Sequence, residues 1–313
     1  MAKVIVTGGA GFIGSHIVDL LLARGHAVEV IDDLSSGRVA NLPAAVKLHQ
    51  LDIRSVEARR VVEQMKPDGI IHAAAQMSVR MSMEDPTFDT SVNVSGLVNI
   101  LDALSRSRSS AAAAPFFVFL STGGAIYGEQ ESFPATEAHR LQPASVYGLS
   151  KRVGELYLDF WARELNLPFA ALRLGNVYGP RQNPHGEAGV VAIFNQKLLR
   201  GETPTINGSG EQTRDFVYVS DVARAVVTAF EKRVSGIFNV GTGKETSVNA
   251  LYALIGDAVG HRPSPQRVAA KAGEQMRSVI DASAADRALD WRPEVSLERG
   301  LESTTAWFRS ANG

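Results

Sequence analysis

Apolar positions in the first third of the chain switch between two periods. Residues 3–6 form a short β-branched run that leads into glycines, and residues 12–24 carry apolar side chains at helical spacing until Gly25 stops them. Residues 28–31 read as a second strand, ending in Asp32 and Asp33. Residues 46–51 read as a third strand, 56–65 as a helix stopped near Lys66 and Pro67, and 69–73 as a fourth strand. These strands are apolar throughout, so both faces must be covered. A β-α-β-α-β order of such strands predicts a parallel sheet between two layers of helices.

The rhythm continues with a helix over 92–104, a Ser/Arg/Ala-rich loop over 106–115, a fifth strand over 116–120, a long helix over 146–165 and a sixth strand over 169–174. From Asn176 it changes. Pro180, Pro184 and Gly186 break the chain, and helices at 190–200, 221–232 and 249–259 mix with short strands and charged turns. The expected architecture is a doubly wound α/β sheet of the Rossmann type over residues 1–175. A smaller C-terminal α/β substrate domain follows over 176–313, with segments returning to the first. With 313 residues, 45% of them hydrophobic, the chain has material for such a core.

Charge and cysteine narrow the function. A formal net charge of −1 offers no basic surface for nucleic acid or for a membrane. The absence of cysteine excludes disulfides, thiolate metal sites and a cysteine nucleophile, and suits a reducing cytoplasm. The N-terminus lacks the pattern of a signal peptide, and no segment reaches the ~20 apolar residues of a membrane span. The histidines are scattered, so no metal site is expected.

Gly8, Gly11 and Gly14 form a G-x-x-G-x-x-G array between the first strand and the first helix. Gly8 permits the tight turn, Gly11 lets backbone approach a pyrophosphate, and Gly14 lets the helix pack against the strand. The helix N-terminus then offers N–H groups to phosphates. Asp32, about 20 residues on, stands where a carboxylate accepts from both ribose hydroxyls and repels a 2′-phosphate, which favours NAD over NADP. Tyr147 and Lys151 share a helix face at i and i+4. A phenol ionises near ~10, so it needs neighbouring positive charge to serve as general base for an alcohol.

Two other signals fail on their chemistry. Gly241-Thr242-Gly243-Lys244 lacks the upstream glycine of a P-loop and has Glu245 where magnesium needs a hydroxyl. His185-Gly186-Glu187 has no cysteines to hold a deaminase zinc.

The chain resembles the extended short-chain dehydrogenases/reductases, and within them the UDP-glucose 4-epimerase branch. The resemblance rests on T-G-G-A-G-F-I-G at 7–14, H-A-A-A-Q at 72–76 with S-V-R at 78–80, Asn93, S-T-G-G-A-I-Y-G at 121–128, the Tyr147/Lys151 pair, N-V-Y-G-P-R-Q at 176–182 and R-D-F-V-Y-V at 214–219. It implies an NAD-dependent isomerase that inverts C4 of a UDP-hexose through a 4-keto sugar, working as a homodimer through the helices at 92–104 and 146–165. Tyr147 would be the base. Lys151 would orient the nicotinamide ribose and lower the tyrosine pKa. A hydroxyl from Thr122 would meet the sugar O4, with Ser121 or water as alternatives, because the usual count falls on Gly123.

Cofactor positions carried over are Gly8, Gly11, Phe12, Ile13, Gly14, Asp32, Ser35, Gly37, Asp52, Ile53, Ala73, Ala75, Gln76 and Asn93, besides Tyr147 and Lys151. Nucleotide-sugar positions are Thr122, Asn176, Val191, Arg214, Lys271, Glu274 and Ser278. The related 4,6-dehydratases carry an Asp-Glu pair for elimination where this chain has Gly123 and Gly124. Ser278 stands where the family sets sugar size, so a serine there implies tolerance of UDP-GlcNAc. UDP-glucuronate stays open through Arg181 or His185. An NAD-sensing regulator is the non-enzymatic alternative, and retention of Tyr147 and Lys151 argues against it.

Overall fold

The computed structural model describes residues 1–107, 114–184, 189–270 and 275–311. In chain order its first elements are β1 (Lys3–Thr7), α1 (Phe12–Ala23), β2 (Ala27–Asp32), β3 (Lys47–Gln50), α2 (Val56–Met65) and β4 (Gly69–His72). Then come α3 (Val79–Glu84), α4 (Pro86–Thr90), α5 (Leu97–Arg106), β5 (Phe116–Thr122), α6 (Gly123–Ile126), α7 (Val146–Leu165), β6 (Phe169–Leu174), β7 (Asn176–Tyr178) and α8 (Val190–Leu199). The remainder is β8 (Thr205–Asn207), β9 (Thr213–Arg214), β10 (Phe216–Tyr218), α9 (Val219–Lys232), β11 (Gly236–Val240), β12 (Thr246–Ser247), α10 (Val248–Val259), β13 (Gln266–Val268), α11 (Ser283–Leu289) and α12 (Leu297–Ala311).

Seven parallel strands form the main sheet in the order β3-β2-β1-β4-β5-β6-β11. The apolar runs explain it. Along β1, Ile5 packs into one core layer, while Val4 and Val6 pack into the layer on the opposite face. Both layers are mainly apolar, so the central strands are covered on both faces. The chain winds outward from β1 to β3, returns, and winds the other way from β4. That reversal leaves a crevice beyond the ends of β1 and β4.

The seventh strand, β11, comes from the second half of the chain, and α9 packs beside α1 on the same sheet. A separate core forms from β7, β8, β10, α8, α10 and α12, around Tyr178, Phe194, Ile206, Phe216, Tyr252 and Leu301. Its strands pair as β7 with β10, β8 with β13 and β9 with β12.

The helix expected over 92–104 differs in its first turn. Residues Ser91–Gly96 are π-helical and α5 begins at Leu97. Two close contacts accompany the wider turn. Asn93 is buried and bonded to Gln76, and a Cβ at Gly96 would stand 2.6 Å from Ile53. π-turns of this kind concentrate at functional sites. Of the loop expected over 106–115, residues 108–113 lie outside the described residues, and Arg106 closes α5.

A buried polar network fastens the end of β5 to α7 and to the second half of the chain. Glu155 on α7 accepts from Arg173 twice, Nε at 2.9 Å and Nη2 at 2.7 Å, and from the Ser121 hydroxyl at 2.7 Å. Arg173 Nη1 also donates to the Tyr127 hydroxyl, which donates to Asn239 on β11 at 2.6 Å. Arg173 and Glu155 are 2% and 1% exposed, so Arg173 depends on Glu155 for compensation, while Glu155 is also met by Arg152 at 3.2 Å. Arg173→Met leaves the Glu155 carboxylate only Arg152 at 3.2 Å and the Ser121 hydroxyl, and is expected to cost about 3 kcal/mol. Chemical denaturation of the variant against wild type measures it, and a loss under about 1 kcal/mol would contradict the role.

Candidate active site

The loop after β1 is built for close approach. Gly8 adopts φ +69°, and a Cβ there would stand 2.5 Å from the Ala74 nitrogen on the loop after β4. A Cβ on Gly14 would meet the Gly8 carbonyl at 2.0 Å, which no side chain survives, whereas one on Gly11 meets it at 3.2 Å. Helix α1 starts at Phe12 with no side-chain cap and no acid in its first turn, so the amides of its first turn and its positive dipole end are left for an anion. Ala73 N donates to the Thr7 carbonyl at 3.0 Å, which locks the two crevice loops together.

Asp32 closes β2 with a buried carboxyl. It accepts from Ala10 N at 2.9 Å and Leu34 N at 2.8 Å. Burial raises its pKa, the two amides oppose this, and Asp33 adds to it. Gly37 lies against it, since a Cβ there would meet Asp32 Oδ1 at 2.8 Å. The remaining carried-over cofactor positions divide by what their side chains already do. Ser35 is tied to Asp33 through its own amide and hydroxyl. Asp52 holds the Arg54 guanidinium, while Ile53 is buried in the core. Ala75 and Gln76 follow β4, with the Gln76 backbone held by Asn93 through bonds of 3.0 and 2.8 Å.

Tyr147 and Lys151 occupy the first two turns of α7, whose N-terminus Ser145 caps by accepting from Gly148 N. Lys151 is buried, donates to the Leu120 carbonyl on β5 at 2.9 Å, and lies 4.8 Å above the Phe119 ring. Burial lowers its pKa to about 8, against the raising effect of Asp89 and then Glu155. Tyr147 is pushed up to about 12, first by burial and then by Asp89, with the Thr122 hydroxyl bond acting the other way. The expected lowering of the phenol by Lys151 is therefore not produced by the protein's own groups. The ammonium sits 5.9 Å from the centre of the tyrosine ring and spends a hydrogen bond on the strand carbonyl. His72, buried behind the pair, is held neutral with its pKa near 3 by burial and by Lys151.

The strand end after β5 separates the two candidate hydroxyls. Thr122 reaches Tyr147 and caps α6 by accepting from Ala125 N at 3.2 Å. Ser121 points the other way, into the Glu155 network. The two glycines that follow also differ. A Cβ on Gly123 would strike Ile280 at 2.8 Å. One on Gly124 would have ordinary contact with Asn176 Oδ1 at 3.6 Å and Thr122 Oγ1 at 4.0 Å.

The structure brings Asn176 to that edge, with its amide donating to the Asp215 carbonyl at 2.7 Å. Val191 is core, packed with Tyr178 and Phe194, so its side chain has no free face. Arg214 is half-buried on β9 and donates to the Thr213 carbonyl. Ser278 is buried beside Val279, in the segment that crosses the Gly123 side of the site. Lys271 and Glu274 lie outside the described residues, as does His185. Arg181 is paired with Asp19 at 2.8 Å, which takes it away from a sugar carboxylate. The turn at 241–244 wraps the Asp215 carboxylate, which accepts from Thr242 N at 2.8 Å and Gly243 N at 3.0 Å, so those amides hold no phosphate.

Two buried carboxylates escaped the sequence reading. Glu155 stands four residues after Lys151, on the helix face that already carried the Tyr147/Lys151 pair, and that spacing was a usable signal. Asp89 had none, since a short helix of mixed residues gives no period.

The comparisons agree with this geometry. Residues 4–241 match the model of the NAD dependent epimerase/dehydratase family. The UDP-glucose 4-epimerase of Mycolicibacterium smegmatis is 42% identical, over 98% of this chain and 99% of that protein. Among solved structures, the UDP-glucose 4-epimerase of Thermotoga maritima with UDP-glucose superposes with a TM-score of 0.95 at 43% identity, covering 99% of this chain and 100% of that one. The UDP-glucose 4-epimerase of Thermus thermophilus in complex with NAD gives 0.92 at 41% identity, covering 99% of each. A glycine-cradled crevice, a tyrosine–lysine pair on one face of α7 and this full-length likeness together place the chain in the NAD dependent epimerase/dehydratase family.

Proposed function

We propose that this protein is a UDP-glucose 4-epimerase, and the observation that carries the reading is the Tyr147–Lys151–Thr122 cluster at the end of β5, on the same sheet edge as the glycine crevice. The residues fit NAD: a Cβ would fill the cradle at Gly8, α1 offers uncapped amides, and Asp32 has a buried carboxyl at the strand end. NAD, when bound there, supplies a reversible acceptor for the hydrogen on the sugar C4. Tyr147 takes the proton of the C4 hydroxyl and returns it after the sugar has turned. The Thr122 hydroxyl lies close enough to the phenol to favour its ionised form, and we assign it to the sugar O4. The buried Lys151 ammonium favours the phenolate once a second positive charge lies beside it. Arg214, Lys271 and Glu274 are the groups we assign to the diphosphate and its nucleotide, in a substrate lobe made from residues 176–313 without β11 and its flanking helices.

The absence of any side chain at Gly124 supports epimerisation over elimination. A residue there would face Asn176 and Thr122 with room to spare, and it is the position from which an acid or base would act on the sugar. We also infer a homodimer. Leu149, Leu156 and Phe160 are 51%, 51% and 47% exposed and fall on one stripe of α7, suited to an isologous contact with a second copy. A chain with no cysteine suits a reducing compartment, and we assign it to the cytoplasm.

Tyr147→Phe is expected to cut turnover of UDP-galactose to UDP-glucose by about 10²–10⁴-fold without loss of bound NAD. An NMR assay with NAD content measured in parallel checks it, and near-normal turnover would refute the reading. The small Ser278 leads us to expect turnover of UDP-GlcNAc as well, with Ser278→Tyr abolishing it and sparing UDP-glucose; the same assay decides. Leu156→Asp combined with Phe160→Asp should give a monomer by sedimentation, and an unaltered mass would remove α7 from the interface.

A further inference from the structure

Asp89 lies on α4 and is completely buried. Its Oδ1 accepts the Ser150 hydroxyl at 2.6 Å, and its Oδ2 accepts Gln76 Nε2 at 2.9 Å and Asn93 Nδ2 at 3.0 Å. All three donors are neutral, so no hydrogen-bonded cation offsets the carboxylate, and its field reaches far in a low-dielectric interior. Ser150 stands between Tyr147 and Lys151 on α7. Gln76 and Asn93 hold the crevice loop, because Asn93 binds the Gln76 backbone and Gln76 Nε2 donates to the Ser78 carbonyl at 3.0 Å. One carboxylate thus joins the wall of the crevice to the helix that bears the reactive pair.

Other charges on elements packed against α7 are already compensated or distant. Glu155 is bound by Arg173 of β6, and His72 of β4 is neutral. Arg80 and Glu84 of α3 face each other at the surface. Asp102 of α5 pairs with Arg59 and Arg106. Asp85, at the start of α4, is exposed and caps Phe88 N.

We propose that Asp89 is a positioning residue of the epimerase: it ties the crevice loop to α7 and places a buried negative charge, with no cation hydrogen-bonded to it, behind the Tyr147–Lys151 pair. The proposal rests on Tyr147 as the base. The sign of its effect is fixed. Negative charge raises the proton affinity of both neighbours, as both Tyr147 and Lys151 show. Removing it lowers both, so both limbs of the kcat/KM profile move to lower pH, whichever group governs each. Loosened packing acts differently. Readmitted water lets Tyr147 fall from about 12 and Lys151 rise from about 8, and the limbs move in opposite directions.

The test is the pH dependence of kcat/KM for UDP-glucose in the NAD-loaded wild type, Asp89→Asn, Asp89→Ser and Tyr147→Phe. Asparagine keeps an acceptor for Ser150 but turns an amide toward two donors; serine avoids that conflict, so one variant covers a folding failure of the other. Either folded variant is expected to shift both limbs down by about one pH unit. Unmoved limbs, limbs moving in opposite directions, or failure of both variants to fold would overturn the proposal. Activity surviving in Tyr147→Phe would instead remove the base on which it rests, while an inactive Tyr147→Phe with unmoved limbs in the Asp89 variants would remove Asp89 alone.

Discussion

The buried ammonium of Lys151 governs how the surrounding elements are arranged. An isolated ammonium taken out of water costs several kcal/mol, and it survives only where the protein replaces the lost hydration. Three different parts of the chain do so here. β5 gives the Leu120 carbonyl and the Phe119 ring, α4 gives Asp89, and α7 itself gives Glu155 one turn later. Glu155 in turn needs Arg173, and Arg173 reaches Tyr127, which is bonded to Asn239 on the seventh strand. The surroundings of Lys151 are therefore connected, through one ion pair and two further hydrogen bonds, to a strand far along the chain. β11 itself joins the main sheet by pairing in parallel with β6 and by burying Phe238 and Val240 in the core, although it follows much of the second core in sequence.

The crevice obeys a different constraint, that of backbone against backbone. The loops after β1 and β4 approach until a single Cβ at Gly8 has no room, and α1 meets the Gly8 carbonyl through Gly14 at a distance only hydrogen permits. Adjacent strands are about 4.8 Å apart, so two strand spacings, about 10 Å, separate the glycine turn after β1 from Thr122 at the end of β5. The cradle and the reactive cluster share one sheet edge because parallel strands present all their C-terminal ends to the same side. A dinucleotide held at the glycine turn, as proposed above, would have its other end brought toward Tyr147 by that spacing.

How much of this the sequence showed depended on whether the information was periodic or spatial. Continuous apolar strands and the helix at Val146–Leu165 were legible because period and capping are local properties, and Ser145 and Asn166 cap that helix as its ends suggest. The Gly8/Gly11/Gly14 array and the Tyr147/Lys151 pair were legible for the same reason. Three things were not. The π-turn at Ser91–Gly96 accompanies a tertiary bond between Asn93 and the Gln76 backbone, 17 residues apart. The state of the phenol was read from a neighbouring lysine on the same helix, but the stronger influences are burial and an aspartate on a distant helix. The choice between Ser121 and Thr122 needed the direction in which each side chain leaves the strand, which only the placement of Glu155 reveals.

The two glycines after Thr122 show how packing and chemistry separate at adjacent positions. Gly123 is the tighter of the two, since a Cβ there would press on the end of the Ile280 side chain at 2.8 Å, which would have to shift. Gly124 is under no such pressure, because its missing Cβ would meet only ordinary contacts at 3.6 and 4.0 Å. A larger residue was sterically available there and is absent, on the side facing Asn176 and Thr122. Elimination across C5 and C6 needs a proton carried away and another supplied, and a bare backbone does neither. On the roles proposed for Tyr147 and Thr122, the edge offers one base, one hydroxyl and open space, which with NAD as hydride acceptor would suffice to oxidise an alcohol, let the ketone turn and reduce it from its other face. The reaction is set as much by the empty position at 124 as by the phenol at 147.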